Sequence, residues 1–291
     1  MPQSGNTSAE RRSAAVRAAM CDEIADALQA LWQRSRPSDE AMHQVRKDLK
    51  RARAALRLLR EALGEAAYAR ENLELRDAAR PLASVRDATV ALQAVRELLE
   101  SEQKPARRTR LLELRRALHA ERRSAREALL RGHKLADIAH SLQDAGERAE
   151  YWRFPLEDTP VLRAGLERVY RKGRKALKRA RAAGTTKSLH ESRKQVKYLQ
   201  QALAVVADGG SRGLRKLEKR AGAVAERLGD DHDLAMLEAK LAAPPARSKA
   251  QRKLIARIEA RRAKLQKKAL KLARRMYRRK AAAFVERVLA G

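Results

Sequence analysis

The stretch MHQVRKDLKRARAALRLLREAL, from Met42 to Leu63, decides the fold because its two faces have opposite chemistry. Wound as an α-helix, it places a stripe of apolar side chains on one side, which is typical of a helix that packs onto a core. On the opposite side, basic residues fall within an arc of roughly 120° with no carboxylate between them. These basic residues are His43, Arg46, Lys47, Lys50, Arg53 and Arg57. The stretch therefore predicts one face for folding and one face for binding an anion.

The same pattern occurs again in LHESRKQVKYLQQALAVVA, from Leu189 to Ala207. His190 follows His43 by 190 − 43 = 147 residues, and the basic and apolar positions of the two stretches match at this offset. Ser38 and Thr185 stand five residues ahead of the two histidines and are expected to cap the two helices. We infer an internal duplication. The basic residues of the second copy are His190, Arg193, Lys194 and Lys197.

The charge of the chain indicates a polyanionic partner. Lys and Arg total 67 against 36 for Asp and Glu, which gives a formal net charge of +31. Solubility alone does not require such an excess. The apolar residues are mainly Ala and Leu, aromatic residues make up only 3%, and strand signals are few. The sequence therefore predicts an all-α protein of two four-helix bundles related by internal duplication and pseudo-twofold symmetry.

Glycine and proline divide the chain into two halves. We expect a single domain at 8–290, with a first half at 8–131, a linker at 132–158 and a second half at 159–289. The pair Arg80-Pro81 must either begin a new helix or kink the old one, and the sequence leaves both alternatives open. The aromatic residues of YWRFP, at 151–155, could stack on a base, although packing onto the helices is the favoured interpretation.

The sequence also bears on localisation. A single cysteine, Cys21, excludes an intramolecular disulfide and fits a reducing cytoplasm. No apolar stretch approaches the about 18 residues of a transmembrane helix, and the first residues lack the apolar segment of a signal peptide. We therefore expect a cytoplasmic protein without a membrane partner.

The duplicated H-x-x-R-K-x-x-K pattern resembles the CHAD domain family of histidine-containing helical domains. Each copy is followed by an Arg-Asp or similar pair, Arg86-Asp87 in the first half and His232-Asp233 in the second. The resemblance covers residues 8–289 and implies two helical bundles with a basic groove or channel that binds inorganic polyphosphate, as well as association with polyphosphate granules in bacteria. Some members are fused to a triphosphatase domain, but residues 1–40 lack its E-x-E-x-K strand signature. The resemblance therefore carries over no phosphatase activity.

The predicted binding site is linear, because polyphosphate has no bases and must be held by cations along its length. The basic face from His43 to Arg57 would extend over about 21 Å. Arginine offers a bidentate fork to phosphate oxygens and lysine a point charge, and phosphate or sulfate ions would mimic parts of the polymer. A helix at 159–183 adds a second basic face. The predicted polyphosphate-binding residues are His43, Arg46, Lys47, Lys50, Arg53, Arg57, Arg171, Lys175, Lys178, His190, Arg193, Lys194 and Lys197.

Other functions fit the residues less well. The repeated histidines are surrounded by cations, so we expect no metal, no cofactor and no catalysis. The carboxylates of Asp230, Asp231 and Asp233 are expected to cap a helix or balance arginines rather than hold Mg²⁺. The alternative function is general, nonspecific nucleic-acid binding, which the net charge alone would support. The sequence leaves the oligomeric state open, and it indicates a surface position for His119, His133, His140 and His232.

Overall fold

The computed structural model describes residues 10–32, 37–154, 159–206, 212–242 and 248–290, and the regular structure in these ranges is entirely helical. This confirms the all-α prediction. None of the helices in these ranges has both the length and the apolar character needed to cross a membrane. The described residues form ten helices: α1 (Glu10–Trp32), α2 (Asp39–Ala79), α3 (Pro81–Glu100), α4 (Pro105–Leu130), α5 (Lys134–Glu150), α6 (Thr159–Ala183), α7 (Thr186–Val206), α8 (Arg212–Ala242), α9 (Lys249–Met276) and α10 (Ala281–Leu289).

The two predicted N-caps are confirmed. The Ser38 hydroxyl accepts a hydrogen bond from the backbone N–H of Ala41 at 3.1 Å, and the Thr185 hydroxyl accepts one from Ser188 at 3.2 Å. Each bond satisfies a backbone donor that the first helical turn leaves unpaired. The caps therefore fix where α2 and α7 begin, and with them the position of each repeated histidine.

Two interruptions shape the first half. Gly64 has φ 75° and ψ 166°, so it breaks α2 directly after the stretch that carries the basic face. This backbone conformation favours glycine, which has no Cβ to clash. Arg80 keeps helical angles of φ −65° and ψ −47°, and Pro81 opens α3 without an intervening loop. The backbone therefore stays nearly helical from α2 into α3. The proline begins α3 and removes only its own backbone N–H from the hydrogen-bond pattern.

Helix α5 occupies most of the predicted linker at 132–158. Its buried face includes Ile138 and Leu142, and it packs against α1 and α2. Trp152 and Phe154, which follow it, pack against the main hydrophobic core, whereas Tyr151 is exposed. The packing interpretation is thus confirmed for two of the aromatic residues. In the second half, α9 ends at Met276 and α10 begins at Ala281.

The two halves share their cores. The larger hydrophobic cluster contains residues of α1, α2 and α5 together with residues of α6, α7 and α10, and the smaller joins α3 and α4 to α8 and α9. Gly165 of α6 lies so close to Leu58 of α2 that an added Cβ would stand 2.5 Å from the Leu58 carbonyl oxygen. This close approach brings the second half directly against the helix that carries the first basic face.

Candidate functional site: a basic recess between the halves

The basic faces of α2 and α7 converge where the two helices pack together. The pKa of Lys50 on α2 is lowered to about 8, first by burial and then by repulsion from Arg46, Lys197, Arg193 and Arg86. These four cations come from α2, α7 and α3. The Lys50 side chain is nevertheless exposed to solvent. We call the region where Lys50 and these four cations converge the basic recess.

Lys197 occupies the corresponding position on α7 and is half-buried. Burial is the main cause that lowers its pKa, and repulsion from Arg193 and Arg86 lowers it further, against the attraction of Asp233. Arg86 of the first half therefore acts on the lysines of both halves. The recess gathers positive charge from α2, α3 and α7 in one place, which costs electrostatic free energy when no anion is present.

Two arginines in the recess have unused hydrogen-bond donors. Arg46 donates one guanidinium N–H to the carbonyl of Ala79 at 3.1 Å, while its Nε is buried and has no partner among the described residues. Burial also lowers the pKa of Arg46. Arg193 lies over Gly229 of α8, 3.7 Å from where a Cβ would stand, and its Nε is likewise unpartnered within the described ranges. Phosphate oxygens would satisfy such donors.

The histidine of the first half faces an arginine. Burial and then repulsion from Arg86 lower the pKa of His43. Its Nδ1 is buried without a partner among the described residues, next to a small pocket lined in part by Glu40 and Val85. His43 is therefore neutral near pH 7, and an approaching polyanion would favour its protonation.

The histidine of the second half faces another histidine. The Nδ1 atoms of His190 and His232 lie 3.2 Å apart, and the ring centroids are separated by 4.4 Å. Burial, followed by repulsion from His190, lowers the pKa of His232 to about 4. His232 is half-buried rather than exposed, so the prediction that it is a surface residue holds only in part. Helix α8 packs along α7, and this brings His232 to the repeated histidine. His119, His133 and His140 are exposed, as predicted.

Carboxylates on the neighbouring helices α3 and α8 border the recess. Asp87 is exposed and attracts Arg46, while Asp233 attracts Arg193. Burial raises the pKa of Asp233 despite this attraction. Each repeated arginine thus has one carboxylate on the next helix that attracts it electrostatically.

The acidic cluster of α8 is divided between two environments. Asp231 is buried, and its Oδ1 accepts hydrogen bonds from Arg262 at 3.1 Å and from Gln266 at 2.8 Å, both on α9. Asp230 is exposed. The interpretation that this cluster balances arginines is confirmed for Asp231. Within the described ranges, no group of three or more His, Cys, Asp or Glu residues is arranged to hold a metal ion.

The outer residues of the first basic face are engaged within the protein. Arg53 donates through Nε and Nη2 to the side-chain oxygen of Asn72, at 3.1 Å each. Arg57 stacks on the ring of Tyr198 at 3.8 Å, and its Nη1 donates to the Arg53 carbonyl. These contacts hold the far end of the basic face against α7, so the two arginines are less available than Lys50 to an incoming anion.

Lys47 and Lys194 border the repeated histidines. Lys47 is exposed and donates to Gln44 at 3.2 Å, whereas Lys194 forms an ion pair with Glu191 at 2.5 Å. Their charges contribute to the lowered pKa values of His43 and His190.

The predicted residues of α6 are less directly connected to the recess. Arg171 is exposed and pairs with Glu167 at 3.7 Å, and Lys175 and Lys178 lie exposed further along the helix. Helix α6 contacts the signature helix α2 through Arg168 instead. Arg168 donates to the Arg57 carbonyl at 3.0 Å and pairs with Glu61. Which of these cations contact a bound anion stays a prediction.

Four residues beside the recess are not among the predicted site residues, namely Arg86, Asp87, His232 and Asp233. The signal was present, since these residues form the pairs that follow each signature helix. Their position became clear only once α3 and α8 were seen to pack beside α2 and α7. Arg86 is the most consequential omission, because its charge acts on His43, Lys50 and Lys197.

Comparison with known proteins agrees with this architecture. A family model described as the CHAD domain matches residues 19–242. PptA from Streptomyces chartreusis has a similar structure, with a TM-score of 0.68 and 15% identity over 92% of this chain and 99% of that chain. The CHAD domain from the plant Ricinus communis aligns with a TM-score of 0.60 and 22% identity, over 92% of this chain and 91% of that chain. No curated protein matches the sequence significantly. The family model spans most of the sequence, and the chain therefore belongs to the CHAD domain family.

Proposed function

We propose that this protein binds inorganic polyphosphate in the basic recess and does so without catalysis. The observation that supports the proposal most strongly is the crowding of cations around Lys50. This exposed amine has its pKa lowered to about 8 by burial and by four neighbouring cations. A site that holds this much unrelieved repulsion gains free energy when a polyanion enters.

The shape of the charge favours a linear polymer. Arg46 and Lys50 come from one half of the chain and Arg193 and Lys197 from the other, so a string of phosphates lying across the recess would meet both sets. A single orthophosphate would satisfy only part of them. The unused Nε donors of the two arginines add directional hydrogen bonds to phosphate oxygens.

The histidines add a pH-dependent part to the same site. Burial lowers the pKa values of His43 and His190, so both are neutral at pH 7. A bound polyanion would raise these pKa values, and protonation would then add two more donors that carry charge. Binding should strengthen as pH falls.

The proposal assigns no catalytic step. Phosphoryl transfer usually relies on carboxylate-held Mg²⁺ and a positioned nucleophile or base. The carboxylates bordering the recess, Asp87 and Asp233, are attracted to Arg46 and Arg193 and are too few to build such a metal site. A noncatalytic binder of this kind would associate with polyphosphate granules in the bacterial cytoplasm.

The test is a titration at about 150 mM salt with long-chain polyphosphate and with orthophosphate. The recess variant combines Arg46→Gln, Lys50→Gln, Arg193→Gln and Lys197→Gln. Its matched control removes two arginines and two lysines that are exposed elsewhere, through Arg115→Gln, Arg116→Gln, Lys216→Gln and Lys219→Gln. We expect saturable binding of the polymer far tighter than that of orthophosphate, abolished in the recess variant and retained in the control.

Two outcomes would overturn the proposal. Equal losses in the recess variant and its control would show that only net charge matters. Release of phosphate or shortening of the polymer by the purified protein with Mg²⁺, above a no-protein background, would contradict noncatalytic binding.

A further inference from the structure

The first and second halves of helix α9 differ in whether their cations form ion pairs with carboxylates. In the first half, Arg257 pairs with Glu102 at 2.9 Å and Arg261 with Glu97 at 3.2 Å. Arg262 pairs with Asp231 at 3.1 Å. These ion pairs connect α9 to α3, to the loop that follows α3 and to α8, so the first half of α9 stabilises the fold.

The second half of α9 is different because its cations have no such partners. From Lys264 to Lys280 the sequence contains nine Lys and Arg residues and no Asp or Glu. Six of the nine lie within α9, on an arc of roughly 120°. All six are exposed, and none forms an ion pair with a carboxylate in the described part of the chain. We call this surface the outer strip: Lys264, Lys267, Lys268, Lys271, Arg274 and Arg275.

The outer strip points away from the rest of the protein. Ala269 and Ala273, on the opposite side of α9, are completely buried in the main core. Gln266 on that opposite side donates to Asp231 of α8. The strip is therefore an outward-facing surface, about 16 Å long over the twelve residues from Lys264 to Arg275, and it lies on a different helix from the recess cations.

We infer that the outer strip is a second polyanion site, which binds the phosphate backbone of double-stranded nucleic acid. A duplex is rigid, broad and densely charged, so it can lie along an exposed row of cations. In the recess, by contrast, Arg46, Arg193 and Lys197 are partly buried. The strip contains no aromatic side chain for stacking on unpaired bases, which favours a duplex over a single strand. Binding of this type neutralises phosphates and reads no sequence.

An anionic membrane is the competing flat polyanion. Helices that bind membrane surfaces combine basic residues with large apolar side chains that insert between the lipids. The large hydrophobic residues that are exposed in the described ranges, namely Trp32, Leu73, Tyr151 and Met236, all lie outside α9. The outer strip therefore offers charge without an inserting side chain, which suits nucleic acid better.

The experiment uses the full chain and a fluorescent duplex of about 20 base pairs, with anisotropy measured between about 50 and 200 mM salt. The strip variant is Lys264→Gln/Lys267→Gln/Lys271→Gln, and its control is Lys216→Gln/Lys219→Gln/Arg220→Gln on α8. We expect the strip variant to lose roughly tenfold or more in duplex affinity, and its salt slope to fall by about 0.9 for each neutralised cation. The control should change less than twofold.

The recess variant separates this inference from the proposed function. It should keep its duplex affinity while losing polyphosphate, and the strip variant should do the reverse. A matching Lys→Arg strip variant, which keeps the charge, should bind the duplex as the parent protein does, and circular dichroism checks that all variants remain helical.

Three results would overturn the inference. The duplex affinity of the strip variant could equal that of the control, or the recess variant could lose duplex binding to the same extent. Tighter strip-dependent binding to vesicles of phosphatidylglycerol than to the duplex, at equal phosphate concentration, would assign the strip to membranes instead.

Discussion

Helices α2 and α7 carry the same basic residues in the same phase, yet the two halves surround them differently. His43 lies beside Arg86, whereas His190 contacts His232 at 3.2 Å. The pKa of His232 is lowered to about 4, so at pH 7 this partner is neutral while Arg86 is charged. The repeat therefore preserves the cations that would touch an anion but varies the residue beside each histidine. As a result, the part of the recess that comes from the first half of the chain is more positive.

A buried hydrogen bond shows the same asymmetry. In α2 the amide of Gln44 donates to the buried carboxylate of Asp48 at 2.7 Å, while in α7 the buried Gln195 donates to Glu191 at 2.8 Å. The carboxylate and the amide have exchanged places one helical turn apart. The bond is kept in both halves, but only the first half buries an ionisable group there.

The largest expected effect comes from removing the shared cations one half at a time. Arg46→Gln/Lys50→Gln and Arg193→Gln/Lys197→Gln should each lower polyphosphate affinity by roughly tenfold, and the combination by roughly a hundredfold, because each charged hydrogen bond contributes on the order of 1 kcal/mol or more. Isothermal titration calorimetry measures all three. If replacing one pair had no effect, a single half would suffice for binding. That result would contradict the proposal that both halves contact the polymer.

Lys50 should make binding depend on pH. Its pKa of about 8 in the free protein lies below its ordinary value, and a bound polyanion would raise it, so binding takes up a proton. Affinity should therefore fall by up to about tenfold as pH rises from ~7 to ~9.

The conservative variant Lys50→Arg provides the control for that pH dependence. Arginine stays charged throughout this range, so the dependence should largely disappear while affinity at pH ~7 is retained. A Lys50→Arg protein with the same pH profile as the parent would place the titrating group elsewhere.

Exchanging the residues behind the histidines tests the asymmetry directly. His232→Arg should strengthen polyphosphate binding several-fold at pH ~7, because it adds a charge where the second half has a neutral ring. Arg86→His should weaken binding by a similar factor and increase its dependence on pH between ~5 and ~7. If both exchanges left the affinity and its pH profile unchanged, the residues behind the histidines would have no part in binding.

The smallest effect concerns stability. Burial, with repulsion from Asp48, raises the pKa of Glu23 to about 7 against the attraction of Arg51. The folded protein thus holds a proton that the unfolded chain has released between about pH 4.5 and 7, so the free energy of unfolding falls as pH rises. We expect a loss of about 1 kcal/mol between pH ~6 and ~8, and Glu23→Gln should flatten this slope. Urea unfolding at several pH values measures it, and an unchanged slope in the variant would contradict the assignment.

Local patterns predicted much of this molecule. The apolar stripes of the two repeated stretches lie in the core, as the buried Leu49 and Val196 show, and the two predicted caps formed at Ser38 and Thr185. The part that the repeated cations play in binding stays a prediction. Each of these signals lies within a few residues of the feature that it predicts, which is why one sequence is enough to detect it.

The rest depended on contacts between distant segments. Arg86 follows Lys50 by 86 − 50 = 36 residues, and its place behind the recess is fixed by the packing of α3, which no local pattern reports. Helix α5 was missed because glycine at 132 and 146 suggested a linker. Gly146 is in fact helical, and a Cβ at this position would stand 3.5 Å from the Ile24 side chain of α1. Small residues in a close-packed helix and in a loop look alike in sequence.

The most direct test of the central claim is a crystal structure of the protein with polyphosphate. We expect one continuous chain of phosphates in the recess, contacting Arg46 and Lys50 on one side and Arg193 and Lys197 on the other. Phosphates bound only at the outer strip, or only along one of the two signature helices, would contradict it.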